Sequence, residues 1–251
     1  MPRHRETNES PLQGPTMNRV ALITGVGPGL GAALARRFAR EGYKVGLVAR
    51  KAEFVETLAG EISAAGSQAL GVVADVGRPA EAIGAVERVR TSLGPIGALI
   101  HNASSALGAG LSGTEPEDFE ECWRVAALGG FVCARETARD MIASGDGVML
   151  FTGATSSVRG GGWLGFSSAK FAVRGLVQSL ARELWPRGVH VAHVVIDGII
   201  GSPRGITDSA GGEPLLDPSR IADAYWHLAA QDRSAWTLEL DVRPFDEQFY
   251  V

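Results

Sequence analysis

The segment Thr24-Gly25-Val26-Gly27-Pro28-Gly29-Leu30-Gly31 has the residue types and spacing to cradle a phosphate. It follows an apolar run over 20–24 and opens a stretch with Leu30, Leu34 and Phe38 at four-residue spacing, so it joins a buried strand to a helix with one apolar face. Gly25 permits the sharp turn, Gly29 lets the backbone approach a pyrophosphate, and Gly31 lets the helix close on the strand. Thr24, Gly27 and Leu30 complete the loop, and the N–H groups and dipole of the helix N-terminus face the phosphates. A turn with no ligand is the plainer reading, but the strand–turn–helix context favours a dinucleotide. A second strand ends Val48-Ala49-Arg50-Lys51. An acid there would bind a ribose 2′-hydroxyl and repel a 2′-phosphate, whereas Arg50 and its neighbouring cation favour NADP(H) over NAD(H). Further along, Thr155-Ser156-Ser157 offers hydroxyls, Lys170 a cation and His193 an imidazole.

These groups need a scaffold, and the hydrophobic pattern supplies one. Strands are expected over 20–24, 45–49, 69–74, 98–102, 148–152 and 189–196. They alternate with a helix carrying Leu30, Leu34 and Phe38 and with helices over 51–65, 79–93, 116–143, 164–185 and 218–230, and an extended tail carries Leu238, Leu240 and Val242. Thr114 is expected to cap the helix at 116, with Glu117 completing a capping box. Alternation of this kind predicts an α/β fold: a Rossmann-type, doubly wound parallel sheet in a single domain over 17–251. Residues 1–16 are polar and read as a disordered leader ahead of Met17.

The glycine segment resembles the Thr-Gly-x-x-x-Gly-x-Gly cofactor motif of the short-chain dehydrogenase/reductase family. Other family signposts follow in order: Asp75, then His101-Asn102-Ala103-Ser104, then Lys170, then Asp197-Gly198. The likeness covers about residues 17–230. It implies that Asp75 and Val76 sit at the adenine, that Asn102 and Ala103 lie along the cofactor, and that Lys170 holds its ribose. Gly198 and Ser202 would belong to a nicotinamide loop in which Asp197 replaces the family's Pro. His101 departs from the family's Asn and reads as a strand-end packing residue. The resemblance also implies a homodimer or homotetramer through the helices at 116–143 and 164–185, with Gly129, Gly130, Ala134 and Ala138 letting partner helices approach.

The family's reaction uses a Tyr as proton donor, a Lys four residues later, a Ser that orients the carbonyl and an Asn that supports a water. Here Phe166 stands four before Lys170, Gly153 falls at the Ser position and Ala126 at the Asn position. Three explanations stay open. The chain is an oxidoreductase passing hydride to an activated, fairly apolar substrate, with Ser156 or Ser157 supplying the hydroxyl; or it is a non-catalytic nucleotide-binding sensor or regulatory protein; or it is an engineered inactive variant. His193 has a suitable ordinary pKa for acid–base work, but its place in an apolar strand reads as a satisfied core histidine. Trp163 and Phe166 could wall an apolar pocket, and Tyr250 is a phenol near the C-terminus.

Composition narrows the classes. The 251 residues include 33 Gly and are 45% hydrophobic, which suits one globular domain with many tight turns, and the net charge of −4 gives no pull toward nucleic acid or an anionic membrane. Cys122 and Cys133 are the only cysteines, so a disulfide framework and a Cys-rich metal site are excluded and no metal is expected; a cytoplasmic setting follows as the expectation.

Overall fold

Six βα alternations build the sheet in the computed structural model, which describes residues 18–201 and 215–245. The strands are β1 (Val20–Thr24), β2 (Lys44–Ala49), β3 (Ala69–Val73), β4 (Ala98–His101), β5 (Gly147–Thr152) and β6 (Val189–Ile196). A short pair follows, β7 (Ile199–Ile200) and β8 (Leu215–Leu216), and the tail forms β9 (Glu239–Val242). The main sheet runs β3-β2-β1-β4-β5-β6-β9 with every neighbour parallel. Strand order reverses between β1 and β4, and ligands bind at such switch points, beyond the carboxyl ends of the strands. Both faces of the sheet are covered, which is why β1, β5 and β6 are buried along their whole length rather than alternately.

One layer holds α1 (Leu30–Arg40), α2 (Ala52–Ala64) and α7 (Pro218–Ala229); the other holds α3 (Pro79–Leu93), α4 (Pro116–Trp123), α5 (Gly129–Ser144) and α6 (Leu164–Leu184). In α1, Leu30, Leu34 and Phe38 are buried as their spacing predicts, and Phe38 meets Tyr43 and Trp226 edge-on at 5.5 and 5.7 Å.

Three local expectations are corrected. The helix expected over 116–143 is interrupted by a π turn, Arg124–Leu128, which inserts a residue without changing the apolar period that suggested continuity. Thr114 does not cap α4: Glu115 is the N-cap and makes no side-chain cap bond, while the Thr114 hydroxyl donates to Gly110 O at 2.7 Å. Gly129 and Gly130 face inward. A Cβ on Gly129 would lie 2.7 Å from Val76 O, and one on Gly130 would lie 3.1 Å from the His101 ring, so this pair serves packing within the chain. Residues 1–17, Ser202 and Tyr250 lie outside the described residues. Among the described residues, no helix is long and apolar enough to cross a membrane.

Candidate functional site

At the switch point the glycine segment opens a cleft of about 780 Å³ lined by Gly25, Val26, Gly27 and Pro28 and, across from them, by Arg50, Asp75, Val76, Asn102 and Ala103. Gly25 has φ +71, and a Cβ there would stand 2.5 Å from the Ala103 backbone, so only glycine allows the turn. Gly31 packs as expected: an added Cβ would lie 2.7 Å from Gly25 O. Gly27 has open space on its Cβ side, and no side chain caps α1 at Gly29. Uncapped helix N–H groups beside bare glycine backbone form a cradle suited to a pyrophosphate, so the residues present fit a dinucleotide.

Asn102 fixes the floor. Its Nδ2 donates to Gly25 O at 3.0 Å, and its Oδ1 accepts from the Thr152 hydroxyl at 3.0 Å. Because Thr152 spends its proton on Asn102, the buried Tyr225 hydroxyl is the donor in its 2.7 Å bond to Thr152 Oγ1. Asp75 lies in the wall, where its carboxylate accepts from Gly77 N at 2.9 Å. The Arg50 side chain is 68% exposed at the mouth, 3.9 Å from Glu121. Lys51, Glu53 and Glu61 share that mouth, with Glu61 paired to Arg36 at 2.7 Å.

Thr24 does not present its hydroxyl to the cleft. It is buried and donates to His101 Nδ1 at 2.9 Å, while His101 Nε2 donates to Ala126 O at 3.0 Å. A carbonyl only accepts, so Nε2 carries the ring proton and Nδ1 the lone pair. Complete burial, with the Lys170 charge adding to it, pushes the His101 pKa down to about 4 and keeps the ring neutral. His101 is thus a packing residue, as its strand-end position suggested. It also ties β4 to the π turn at Ala126.

Beyond this cradle lies the end of β5. Lys170, on α6, is buried and donates to Thr152 O at 2.8 Å; burial lowers its pKa to about 8. The ring one helical turn before it is Phe166, with its centroid 5.4 Å from Nζ, so the face beside the ammonium carries no hydroxyl. Ser157 is fully buried, and its Oγ accepts from Ala154 N at 3.1 Å inside a short 3₁₀ turn, Thr155–Ser157. Ser156 is half-buried on the same turn. The Thr155 hydroxyl donates to Asp197, which pairs with Arg243 beyond β9; both charged side chains are buried. Gly198 follows at φ +143, tight against Pro244 and Leu216. His193 is not a satisfied core histidine: Nδ1 meets Glu239 at 3.0 Å, but Nε2 has no hydrogen-bond partner among the described residues. Sequence reading missed Glu239 and Arg243. The available signal was the two-residue spacing of Glu239, Asp241 and Arg243, which puts charges on one side of a strand.

The family model for short chain dehydrogenases matches residues 19–205. The chain belongs to that family. A Thauera aromatica subunit of (2S)-[(R)-hydroxy(phenyl)methyl]succinyl-CoA dehydrogenase is 34% identical over 74% of this chain and 75% of its own length. A Rhodopseudomonas palustris short-chain dehydrogenase is 35% identical at TM-score 0.80, covering 92% of this chain and all of that one. A metagenomic short-chain oxidoreductase solved with NADP is 27% identical at TM-score 0.78, covering 91% of this chain and 98% of its own.

Proposed function

We propose that this chain is an NADP(H)-binding oxidoreductase whose site has lost the family's Tyr, Ser and Asn, at Phe166, Gly153 and Ala126, and which passes hydride to an activated, apolar substrate. The observation that carries the reading is a glycine cradle tied through Asn102 and Thr152 to a buried Lys170 whose neighbouring ring has no hydroxyl. The bound cofactor would supply the hydride. Gly25, Gly27, Gly29, Gly31, Leu30 N–H, Asp75, Val76, Asn102, Ala103 and Gly198 would hold it, and Lys170 would donate to its ribose. Arg50 and Lys51 support the 2′-phosphate form, in keeping with the NADP complex of the metagenomic relative.

Phe166 cannot protonate a ketone oxygen. An enone, whose hydride adduct is a stabilised enolate, and an imine that arrives protonated as the iminium ask less of a proton donor. Leu111, 87% exposed, and Trp163, 51% exposed, stand on two loops joined by Gly110 N donating to Gly162 O at 2.7 Å, which supports an apolar substrate. The test has two stages. NADPH fluorescence should saturate on titration with protein, and no binding up to millimolar cofactor would overturn the reading. A panel of ketones, enones, imines and the corresponding alcohols should then show cofactor turnover; binding with silence across the panel would favour a nucleotide-binding protein without chemistry.

A further inference from the structure

His193 lies in the middle of β6, paired in register with Phe151 on one side and Glu239 on the other. Its side chain is 1% exposed. Arg174 grips Glu239 through two N–H donors, each at 2.7 Å, so the carboxylate stays ionised and only accepts. The Nδ1 facing it therefore carries the ring proton, and Nε2 presents a bare lone pair. Its direction is set by Gly153: a Cβ built there would overlap Nε2 and lie 2.6 Å from Cε1 and 3.0 Å from Ser157 Oγ. The β-carbon of the family's serine and this imidazole compete for the same space. Glycine at 153 leaves the space that the His193 ring fills.

We propose that His193 is the general base of this site, its Nε2 lying where the lost serine's side chain would begin, with Glu239 and Arg174 as positioning residues. The proposal rests on the oxidoreductase reading above. In the oxidising direction the substrate's O–H and carbinol C–H bonds break. The C–H hydrogen leaves as hydride to NADP⁺, the hydroxyl proton goes to Nε2, and the carbonyl forms. Reduction reverses each transfer, with the imidazolium as acid. Glu239 stabilises that imidazolium as it forms. The charged groups facing the ring are Glu239 from β9 and Lys170 and Arg174 from α6. Burial and the two cations outweigh Glu239 and hold the ring below its ordinary pKa of 6.5, so it is a neutral base at pH 7.

The experiment follows the ring nitrogens of ¹⁵N-histidine-labelled protein by NMR from about pH 4 to pH 9, saturated with NADP⁺ or with NADPH, the His193 signals being assigned with His193→Gln. A prior fluorescence titration shows whether cofactor binds, so failure of the underlying reading is seen separately. If Nε2 faces the reacting centre, the positively charged oxidised nicotinamide lowers the His193 titration by half a pH unit or more relative to the reduced form. Glu239→Gln lowers it further in both. For any alcohol turned over, His193→Gln should hold NADPH affinity within about twofold while kcat falls about 100-fold and the acidic limb of the pH profile disappears. Identical His193 titrations in the two complexes, or an unchanged acidic limb in His193→Gln, would overturn the proposal.

Discussion

The two halves of the sheet's carboxyl edge treat polar atoms in opposite ways. At β1 to β4 the cleft is made largely of backbone: glycines without side chains, uncapped helix N–H groups, and Asn102 spending its amide on Gly25 O. At β5, β6 and β9 the polar atoms belong to side chains from distant segments that close on one another, at the edge and within the strands below it. Thr155 meets Asp197 and Arg243, and His193 meets Glu239 and Arg174. Backbone recognition constrains the residue at each place to be small, and chemistry by side chains constrains only their meeting point. The first half is therefore held to small residues at each place, and the second tolerates exchange of its side chains.

The sharpest break of this comparison comes from the glycines. Gly31→Val should cost about 3 kcal/mol or more, because its side chain would enter the Gly25 and Val26 backbone, and thermal unfolding would read it. Gly27→Ala should leave the melting temperature unchanged, since nothing lies within 4 Å of the added methyl. Yet it should weaken NADPH binding more than tenfold, because that methyl would project into the phosphate cradle. Equal losses of stability in the two variants would end the idea that Gly27 is held for the ligand.

The same distinction explains what was legible in the chain. The strand and helix order followed from period and glycine punctuation, and the roles of Gly25 and Gly31 followed from one short local motif. The π turn was hidden because Val125 to Val132 keep an apolar face whichever register the helix takes. The His193–Glu239 pair was hidden because its members lie 46 residues apart and are joined only through the β6–β9 register. A histidine in an apolar strand carries no local sign of which nitrogen will be left unpaired.

In the half built of side chains, Gly153→Ala should destabilise by about 1–3 kcal/mol, because the methyl meets the His193 ring. His193→Ala should relieve most of that loss, giving a coupling energy in a double-mutant cycle that independent sites would not show. Additive losses would mean that the ring can turn away at little cost. With that space vacated, adding Gly153→Ser and Phe166→Tyr to His193→Ala should recover the weak carbonyl reduction that His193→Ala alone loses.

Cofactor choice is a smaller effect, because Arg50 works from solvent. Arg50→Ala should lower the preference for NADPH over NADH about tenfold, more at low salt than at high, with the melting temperature unmoved. An unchanged ratio would shift the choice to Lys51 or away from charge altogether.

The smallest expected effect links the halves through Lys170. Its ammonium is buried, and its pKa is lowered to about 8 by burial. Only the charged form brings a positive charge to an anionic dinucleotide, so affinity should be full below that pH and fall as pH rises through it. Between about pH 7 and pH 9 the loss should be about fivefold, less than the tenfold change in charged fraction because the neutral lysine still allows the cofactor to bind. Lys170→Met should start from weaker binding and lose this pH dependence, while Arg50→Ala should keep it. If Lys170→Met retained the slope, the titrating group would lie elsewhere in the cleft, and the lysine would serve mainly to pin α6 to β5 through Thr152 O.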